Sequence, residues 1–189
     1  MFSLLRPYIF TLDPEAAHDL AIKSLKFNFM PKNFFQVEGE EMLSTTLFKK
    51  KIKNPIGLAA GFDKSAEVYS SLFKLGFGFV EVGTITPKRQ FGNPKPRVFR
   101  LENDKALINR LGFNNDGIET VAKRLEKKKS DEFLGINIGP NKDTKYKVLD
   151  FLECFSKLNK FASYITINIS SPNTVGLRDF HEEKLLSEL

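Results

Sequence analysis

Strand-like apolar runs alternate with helical segments over residues 56–170, and this alternation limits the possible folds more than any other feature. The predicted helices cover residues 63–75, 115–129 and 143–160, the last capped by Asp143 or Thr144. The predicted strands cover residues 56–61, 79–84, 133–139 and 164–170. Such alternation indicates βαβ units and a parallel sheet, so the predicted fold class is α/β.

The barrel is the α/β architecture that fits this pattern best. No G-x-G-x-x-G fingerprint follows the first strand and the chain has no Walker A pattern, which disfavours a dinucleotide-binding Rossmann domain. A (β/α)8 TIM barrel needs about 250 residues, whereas this chain has 189. We therefore expect residues 37–189 to form the N-terminal half of such a barrel, and we expect the sequence to be a fragment.

Residues 1–36 are predicted to form a separate helical extension. Asp13, Pro14 and Glu15 form a helix start signal: an N-cap acceptor, a proline at the first helical position and an acid near the positive helix end. The apolar faces of its two short helices suit either packing on the following domain or lying on a membrane surface. The pattern favours packing. Elsewhere, residues 43–53 suggest a weak strand pair, and residues 85–114 are predicted as a long loop.

Composition excludes several classes of protein. The net charge of +6 comes from lysines clustered at residues 49–53 and 123–129, and neither run interleaves aromatics with arginine, so we expect no nucleic-acid partner. Cys154 is the single cysteine, which excludes an internal disulfide framework, and its spacing predicts a core position. No apolar run is long enough to span a membrane, and no secretory signal is recognisable. We expect a reducing, cytoplasmic setting and no metal site.

Residues 164–174 (YITINISSPNT) are the stretch richest in candidate chemistry. Its first half alternates isoleucine with polar residues, a period of two that is typical of a strand, and Pro172 then ends the strand in a polar turn. The polar side of the strand carries Asn168 toward a loop with Ser171, Asn173 and Thr174. Polar groups at the C-terminal end of a strand are how α/β enzymes present chemistry. The alternative interpretation is a polar turn after a buried strand.

Five polar clusters, this one included, lie at the C-terminal ends of the predicted strands or in the loops that leave them. They occupy residues 59–64, 83–87, 109–114, 135–139 and 168–174. Each cluster is weak alone, but the set in this order resembles the dihydroorotate dehydrogenases over nearly the whole chain, from residues 12–18 to residues 168–178. It is similar to the quinone-dependent, membrane-associated class 2, which carries a helical N-terminal extension. Class 1 enzymes have a cysteine at the position of Ser171, whereas Cys154 lies in the preceding helix.

The resemblance implies oxidation of (S)-dihydroorotate to orotate in pyrimidine biosynthesis, with FMN taking the hydride and ubiquinone or menaquinone reoxidising it. It implies a peripheral position on the cytoplasmic face of the cell membrane. Ser171 is the implied general base, with Thr174 and Phe113 holding a water beside it. The implied quinone site includes His18 and Arg100. Implied substrate contacts are Lys64, Asn109, Arg110, Leu111, Gly112, Phe113, Asn168 and Asn173. Implied FMN contacts are Ala60, Gly61, Phe62, Asp63, Lys64, Thr84, Asn137 and Asn168.

Two other functions stay open at this point. One is a related FMN barrel acting on dihydropyrimidines or dihydrouridine, although those relatives use a cysteine as the acid–base group. The other is a non-catalytic protein whose lysine-rich surface and amphipathic N-terminus dock on lipid or a partner. Barrels of this type bind the cofactor phosphate after the seventh and eighth strands. We therefore expect the 189-residue chain alone to bind no stoichiometric FMN and to show no turnover.

Overall fold

Four parallel strands form the centre of the protein. The computed structural model describes residues 2–27, 40–128, 132–187 and 189. The sheet contains β3 (Gly57–Leu58), β4 (Phe79–Ile85), β7 (Leu134–Ile138) and β8 (Tyr164–Ile167), in that order. All three pairings are parallel. The predicted α/β fold with a parallel sheet is therefore confirmed, and its strand order follows the chain, as in half of a β/α barrel.

Three helices cover one face of this sheet: α3 (Tyr69–Lys74), α4 (Ile118–Leu125) and α5 (Lys147–Leu158). The core between them consists of one parity of each central strand together with the apolar stripes of the helices. Its fully buried members include Val80, Val82, Leu134, Ile136, Val121 and Cys154. The opposite parity of the same strands carries polar and small residues, so the sheet presents a polar face on its other side.

The helices are shorter than predicted because polar side chains and a glycine delay their starts. Asp63 accepts hydrogen bonds from the backbone N–H groups of Glu67 and Val68, which holds a turn, and α3 begins only at Tyr69. Gly117, with a φ of 80°, directly precedes α4. The predicted capping of α5 by Asp143 or Thr144 is wrong, since its N-cap is Tyr146 and no side chain caps it.

The predicted loop at residues 85–114 contains regular structure, which corrects the sequence prediction. β5 (Val98–Leu101) and β6 (Ala106–Asn109) pair there as an antiparallel hairpin. The predicted strand pair near residues 43–53 is confirmed as β1 (Thr45–Leu47) and β2 (Lys50–Ile52). The remaining elements are the short helix α6 (Glu183–Leu186) and single 3-10 turns at Glu40–Leu43, Asn159–Phe161 and Arg178–His181.

Two N-terminal helices, α1 (Phe2–Phe10) and α2 (Pro14–Lys26), pack against this sheet domain. Asp13 caps α2 as predicted, because its carboxylate accepts from the N–H groups of Glu15 and Ala16. Ile22 enters the common hydrophobic core. The proposed domain boundary between residues 36 and 37 lies outside the described residues. Within the described part of the chain, no helix combines the length and hydropathy that crossing a membrane requires.

Arginine side chains from the hairpin region hold both N-terminal helices. Arg97 is almost fully buried, and its guanidinium forms a bidentate ion pair with Glu15 at 2.8–3.1 Å. Arg100 donates to the carbonyl oxygens of Phe10 (3.2 Å) and Leu12 (2.8 Å), and its guanidinium lies 4.6 Å from the centre of the Phe10 ring. The link between α1 and α2 is therefore fixed to β5.

Candidate active site

A cavity of about 420 Å³ opens where the parallel strands end. We call it the strand-end cavity. It is lined by Ala59, Ala60, Gly61, Lys64, Glu81, Gly83, Thr84, Asn109, Leu111, Gly112, Phe113, Asn114, Asn137, Asn168, Ser171 and Asn173. Residues from all five predicted clusters therefore meet. Four clusters meet because parallel strands bring their C-terminal ends to one edge of the sheet, and the fifth, at residues 109–114, is contributed by the end of the hairpin strand β6 and the loop after it.

Ser171 stands on the loop that follows β8, as predicted. Its hydroxyl accepts a hydrogen bond from the N–H of Asn173 at 3.3 Å. Arg178 supports the same loop by donating to the carbonyl oxygen of Ser170. Thr174 is buried beside this loop but does not line the cavity, whereas Phe113 does. Ser171 is thus one of the residues that line the cavity, and its role as a base stays a prediction.

Asn137, Thr84 and Asn168 form a connected set of hydrogen bonds on the polar face. Thr84 Oγ1 donates to Asn137 Oδ1 at 2.7 Å. Asn168 Nδ2 donates to Thr84 Oγ1 at 2.9 Å and to Asn137 Oδ1 at 3.2 Å. Gly83 allows β4 to approach β7, because a Cβ there would collide with the Asn137 backbone. The three predicted cofactor contacts are therefore positioned by one another.

Glu81 belongs to the cavity wall, although sequence reasoning did not select it. Its carboxylate accepts hydrogen bonds from Asn137 Nδ2 (2.8 Å), Tyr164 Oη (2.9 Å) and Thr166 Oγ1 (3.0 Å). Burial, together with the Glu81 charge, raises the pKa of Tyr164. A sequence signal was present: a glutamate between the buried apolar residues of a strand needs partners. Ala59, Gly83 and Asn114, which were not predicted as individual contacts either, line the cavity as well.

Lys64 lies between the strand-end cavity and a second cleft of about 370 Å³ beneath α2, and it lines both. Its Nζ is 3.2 Å from Nε2 of His18, which also contacts the Phe62 ring edge-to-face at 5.2 Å. Burial lowers the pKa of Lys64, while the charges of Glu15 and Asp19 act in the opposite direction. Burial, and secondly the Lys64 charge, lowers the pKa of His18.

Three of the predicted substrate and FMN contacts lie outside the cavity lining. Arg110 donates its guanidinium hydrogens to the carbonyl oxygen of Pro96. Phe62 lines the cleft beneath α2. The Asp63 carboxylate is buried, and burial raises its pKa, although the hydrogen bonds that it accepts from the backbone N–H groups of Glu67 and Val68 act in the opposite direction. These side chains serve the protein's own packing here, and their binding roles stay predictions.

The only thiol of the chain is remote from this cavity. Cys154 is fully buried in α5, and its Sγ lies 3.7 Å from the carbonyl oxygen of Ile85, behind the sheet. Burial raises the pKa of this thiol. Ser171 is therefore the hydroxyl or thiol that the loop after β8 offers at the cavity wall. Among the described residues, no group of three histidine, cysteine or carboxylate side chains is placed to hold a metal.

Comparison with known proteins identifies the family. The family model described as dihydroorotate dehydrogenase matches residues 42–189. The chain belongs to this family. Similar curated proteins are named dihydroorotate dehydrogenase (quinone). The one from Bartonella tribocorum is 54% identical over 92% of this chain and 48% of its own length, and the one from Shewanella denitrificans is 48% identical over 100% and 57%.

Solved structures of the same family have a similar fold. A crystal structure of DHODH from Eimeria tenella in complex with ferulenol has a TM-score of 0.84 and 45% identity, over 92% of this chain and 48% of that one. The ligand-free DHODH of the same organism has a TM-score of 0.85 and 44% identity. This member of the dihydroorotate dehydrogenase family thus spans about half the length of the relatives that it matches.

Proposed function

We propose that this protein oxidises (S)-dihydroorotate to orotate with FMN as its flavin and a quinone as the final electron acceptor. The observation that carries the proposal is the strand-end cavity, where Ser171, Lys64 and a set of asparagine amides surround one space of about 420 Å³. Oxidation of the substrate removes a proton from C5 and a hydride from C6 and leaves a double bond between them. The cavity offers Ser171 for the proton, whereas the hydride requires the flavin.

The side chains suit a flavin on chemical grounds. Ala60 and Gly61 present backbone without bulk, and a Cβ added to Gly61 would meet nothing within 4 Å. Thr84, Asn137 and Asn168 supply hydroxyl and amide groups for the polar edges of a ring system, and the Lys64 ammonium suits an electron-rich edge. Bound FMN would accept the hydride from C6.

Ser171 acts as the general base in this proposal. Its oxygen would accept the C5 proton, and the backbone N–H of Asn173 donates a hydrogen bond of 3.3 Å to that oxygen. A serine hydroxyl is a weak base, so its proton must move on as it acts. In this proposal a water held by Thr174 and Phe113 receives it; Phe113 lines the cavity and Thr174 is a buried residue of the same loop as Ser171.

The substrate's other groups find complementary partners in the same wall. Asn109, Asn168 and Asn173 offer amide donors and acceptors for the N–H and C=O edges of the ring, and Lys64 offers positive charge for the carboxylate. The loop at Leu111, Gly112 and Phe113 closes the cavity on the hairpin side. Substrate affinity and orientation would therefore come from uncharged amides together with one cation.

For the quinone, we propose the region of α1 and α2 around His18 and Arg100. The Lys64–His18 contact supports this proposal, because it joins the strand-end cavity to α2. The exposed side chains of Leu4, Leu5 and Tyr8 on α1 support a peripheral position on the cytoplasmic face of the cell membrane. A quinone dissolved in lipid could then reach the protein without leaving the bilayer.

The test uses the protein extended to the length of its relatives and loaded with flavin. Anaerobic addition of dihydroorotate should bleach the flavin absorbance, whereas dihydrouracil, which lacks the carboxylate, should leave it unchanged. A long-chain quinone should then restore the absorbance, and NAD⁺ should not. A flavin that dihydroorotate does not reduce would contradict the proposed reaction.

A further inference from the structure

Glu81 is a carboxylate in the middle of a buried strand. Its neighbours Val80 and Val82 are fully buried on the helix side, so Glu81 extends from the polar face. Gly135 in β7 pairs with Glu81 in β4 on one side and with Tyr164 in β8 on the other. A Cβ at Gly135 would collide with the Tyr164 ring. The glycine therefore lets the tyrosine hydroxyl cross β7 and reach Glu81.

The carboxylate determines how the Asn137 amide is turned. An ionised carboxylate only accepts hydrogen bonds, so Glu81 Oε1 requires the NH₂ group of Asn137, which lies 2.8 Å away. The carbonyl oxygen of Asn137 must then face the other way. There it accepts from Thr84 Oγ1 at 2.7 Å. Because the single hydroxyl proton of Thr84 is committed to Asn137, Thr84 in turn accepts from Asn168.

This direction continues to the end of the set. Asn168 Nδ2 uses its hydrogens on Thr84 Oγ1 and Asn137 Oδ1. Its Oδ1 has only the longer contacts from Ser170 N at 3.3 Å and Ser170 Oγ at 3.4 Å. Contacts of that length are weak. The Asn168 carbonyl oxygen therefore keeps accepting capacity, because an amide oxygen has two lone pairs, and Asn168 is one of the residues that line the cavity.

We propose that Glu81 is a positioning residue that gives the Asn137–Thr84–Asn168 hydrogen bonds one direction, so that Asn168 accepts from the N–H of a bound pyrimidine-type ring. The inference rests on the proposed function, since the substrate ring and the pyrimidine edge of the flavin both carry an N–H beside carbonyl groups. Glu81 acts through other side chains and need not touch either ring. Its removal would alter which ring edge the cavity prefers.

The decisive variant is Glu81→Gln in the protein extended to the length of its relatives. Glutamine has the same shape but can donate, so the amides of Asn137 and Asn168 become free to reverse. Tyr164→Phe is the matched control, because it removes a partner of Oε2 and leaves the Oε1–Asn137 bond in place. Both variants should retain a cooperative thermal transition, which separates a local effect from misfolding.

The first measurement needs no substrate. In ¹⁵N-labelled protein, one side-chain amide proton of Asn137 should resonate far downfield, as expected for a hydrogen bond to a carboxylate. That shift should disappear in Glu81→Gln and persist in Tyr164→Phe. An unchanged Asn137 resonance in Glu81→Gln would overturn the inference, whatever reaction the protein catalyses.

The second measurement compares dissociation constants in two arms. One arm uses orotate and its analogues methylated at either ring nitrogen, and the other uses FMN and N3-methyl-FMN. In the wild type and Tyr164→Phe, methylation of the contacting N–H should weaken binding by roughly tenfold or more. In Glu81→Gln the ratio of the dissociation constants for the methylated and unmethylated ligand should fall toward one. The arm in which this ratio changes shows whether Asn168 contacts the substrate ring or the flavin.

Two outcomes separate this inference from the proposed function. A wild type that binds neither orotate nor dihydroorotate would contradict the proposed function, while the Asn137 resonance would still decide the role of Glu81. If the wild type binds orotate, two results would overturn the inference alone. One is a methylation ratio in Glu81→Gln equal to that of the wild type, and the other is no sensitivity to methylation in either arm.

Discussion

The Nζ atom of Lys64 lies 3.2 Å from Nε2 of His18, so a cation in the strand-end cavity is hydrogen-bonded to the second helix of the N-terminal pair. The two residues are 46 positions apart in the chain. A change in the charge of Lys64 or His18 should therefore shift the pKa of the other residue, although the two lie on different elements of the fold. This contact leads directly to a prediction about pH.

Stability should fall between neutral pH and pH 5 because of His18. Burial and the Lys64 charge lower the pKa of His18 below its ordinary value of 6.5. The unfolded chain therefore takes up a proton near pH 6.5 while the folded protein does not, and the free energy of unfolding decreases as pH falls below that value. His18→Gln keeps an acceptor for Lys64 but cannot titrate. Urea unfolding at pH 7.5 and pH 5 should show a smaller decrease in this variant.

A companion titration tests the cause of the shift. In Lys64→Met the pKa of His18, followed by NMR of its ring protons, should rise because the neighbouring charge is gone. The lowering by burial, which is the larger cause, should persist in this variant. The prediction about stability is wrong if the urea experiment shows the same loss in free energy of unfolding between pH 7.5 and pH 5 for wild type and His18→Gln.

Ser171→Ala should leave flavin binding intact and slow flavin reduction by dihydroorotate. General base catalysis contributes about 10²–10⁴-fold, and the alanine cannot accept the C5 proton. Rapid mixing of the flavin-loaded, full-length protein with dihydroorotate measures this rate. Ser171→Cys should keep partial activity with a lower pH optimum, because a thiol has an unperturbed pKa of about 8.5. A near-wild-type rate in Ser171→Ala would remove Ser171 from the mechanism.

Glu15→Gln should destabilise the attachment of α2. The ion pair with Arg97 is largely buried, with side-chain exposures of 14% and 7%. Removing one charge leaves the other buried without its partner, which costs about 3 kcal/mol. Chemical denaturation at pH 7 gives the difference in free energy of unfolding. Glu119→Gln, at the exposed pair with Lys157, is the matched control and should leave stability unchanged within error.

The same ion pair predicts a second dependence on pH. The hydrogen bond and charge of Arg97 lower the pKa of Glu15 below its ordinary value of 4.5. The contribution of Glu15 to stability is thus complete above about pH 4.5 and is lost as pH falls through the folded-state pKa. The difference between wild type and Glu15→Gln should narrow under acid. A difference that is constant from pH 7 to pH 3 would contradict this account.

Charged substitutions on α1 should weaken binding to lipid vesicles. Leu4 and Tyr8 are 76% and 75% exposed, and insertion of such side chains into lipid contributes about 1.5–3 kcal/mol each. Leu4→Glu should therefore lower vesicle affinity about tenfold or more, as measured by sedimentation with anionic vesicles. Leu149→Glu on α5, where Leu149 is also exposed, is the control and should bind normally. Equal losses in both variants would contradict a specific role of α1.

Local sequence was sufficient for the strands of the parallel sheet and for the edge at which function was predicted, although it missed the hairpin of β5 and β6. Apolar alternation is a property of neighbouring residues, so β4, β7 and β8 could be recognised, and parallel pairing then required that their C-terminal ends coincide. For this reason Ser171, Asn137 and Asn168 could be assigned to one site before any coordinates were known. The Asp13 cap could be recognised because its acceptor and donors are two and three residues apart.

The tertiary structure decided the contacts between residues that are far apart in the chain. The hydrogen-bond partners of the Glu81 carboxylate could be identified only from the structure, because Asn137, Tyr164 and Thr166 lie on two other strands. The starts of α3 and α4 depended on a buried carboxylate and on a glycine held by its surroundings, which outweighed local helix propensity. Side-chain hydrogen bonds and charges act through space at about 3 Å, and only the fold determines which distant residues come that close.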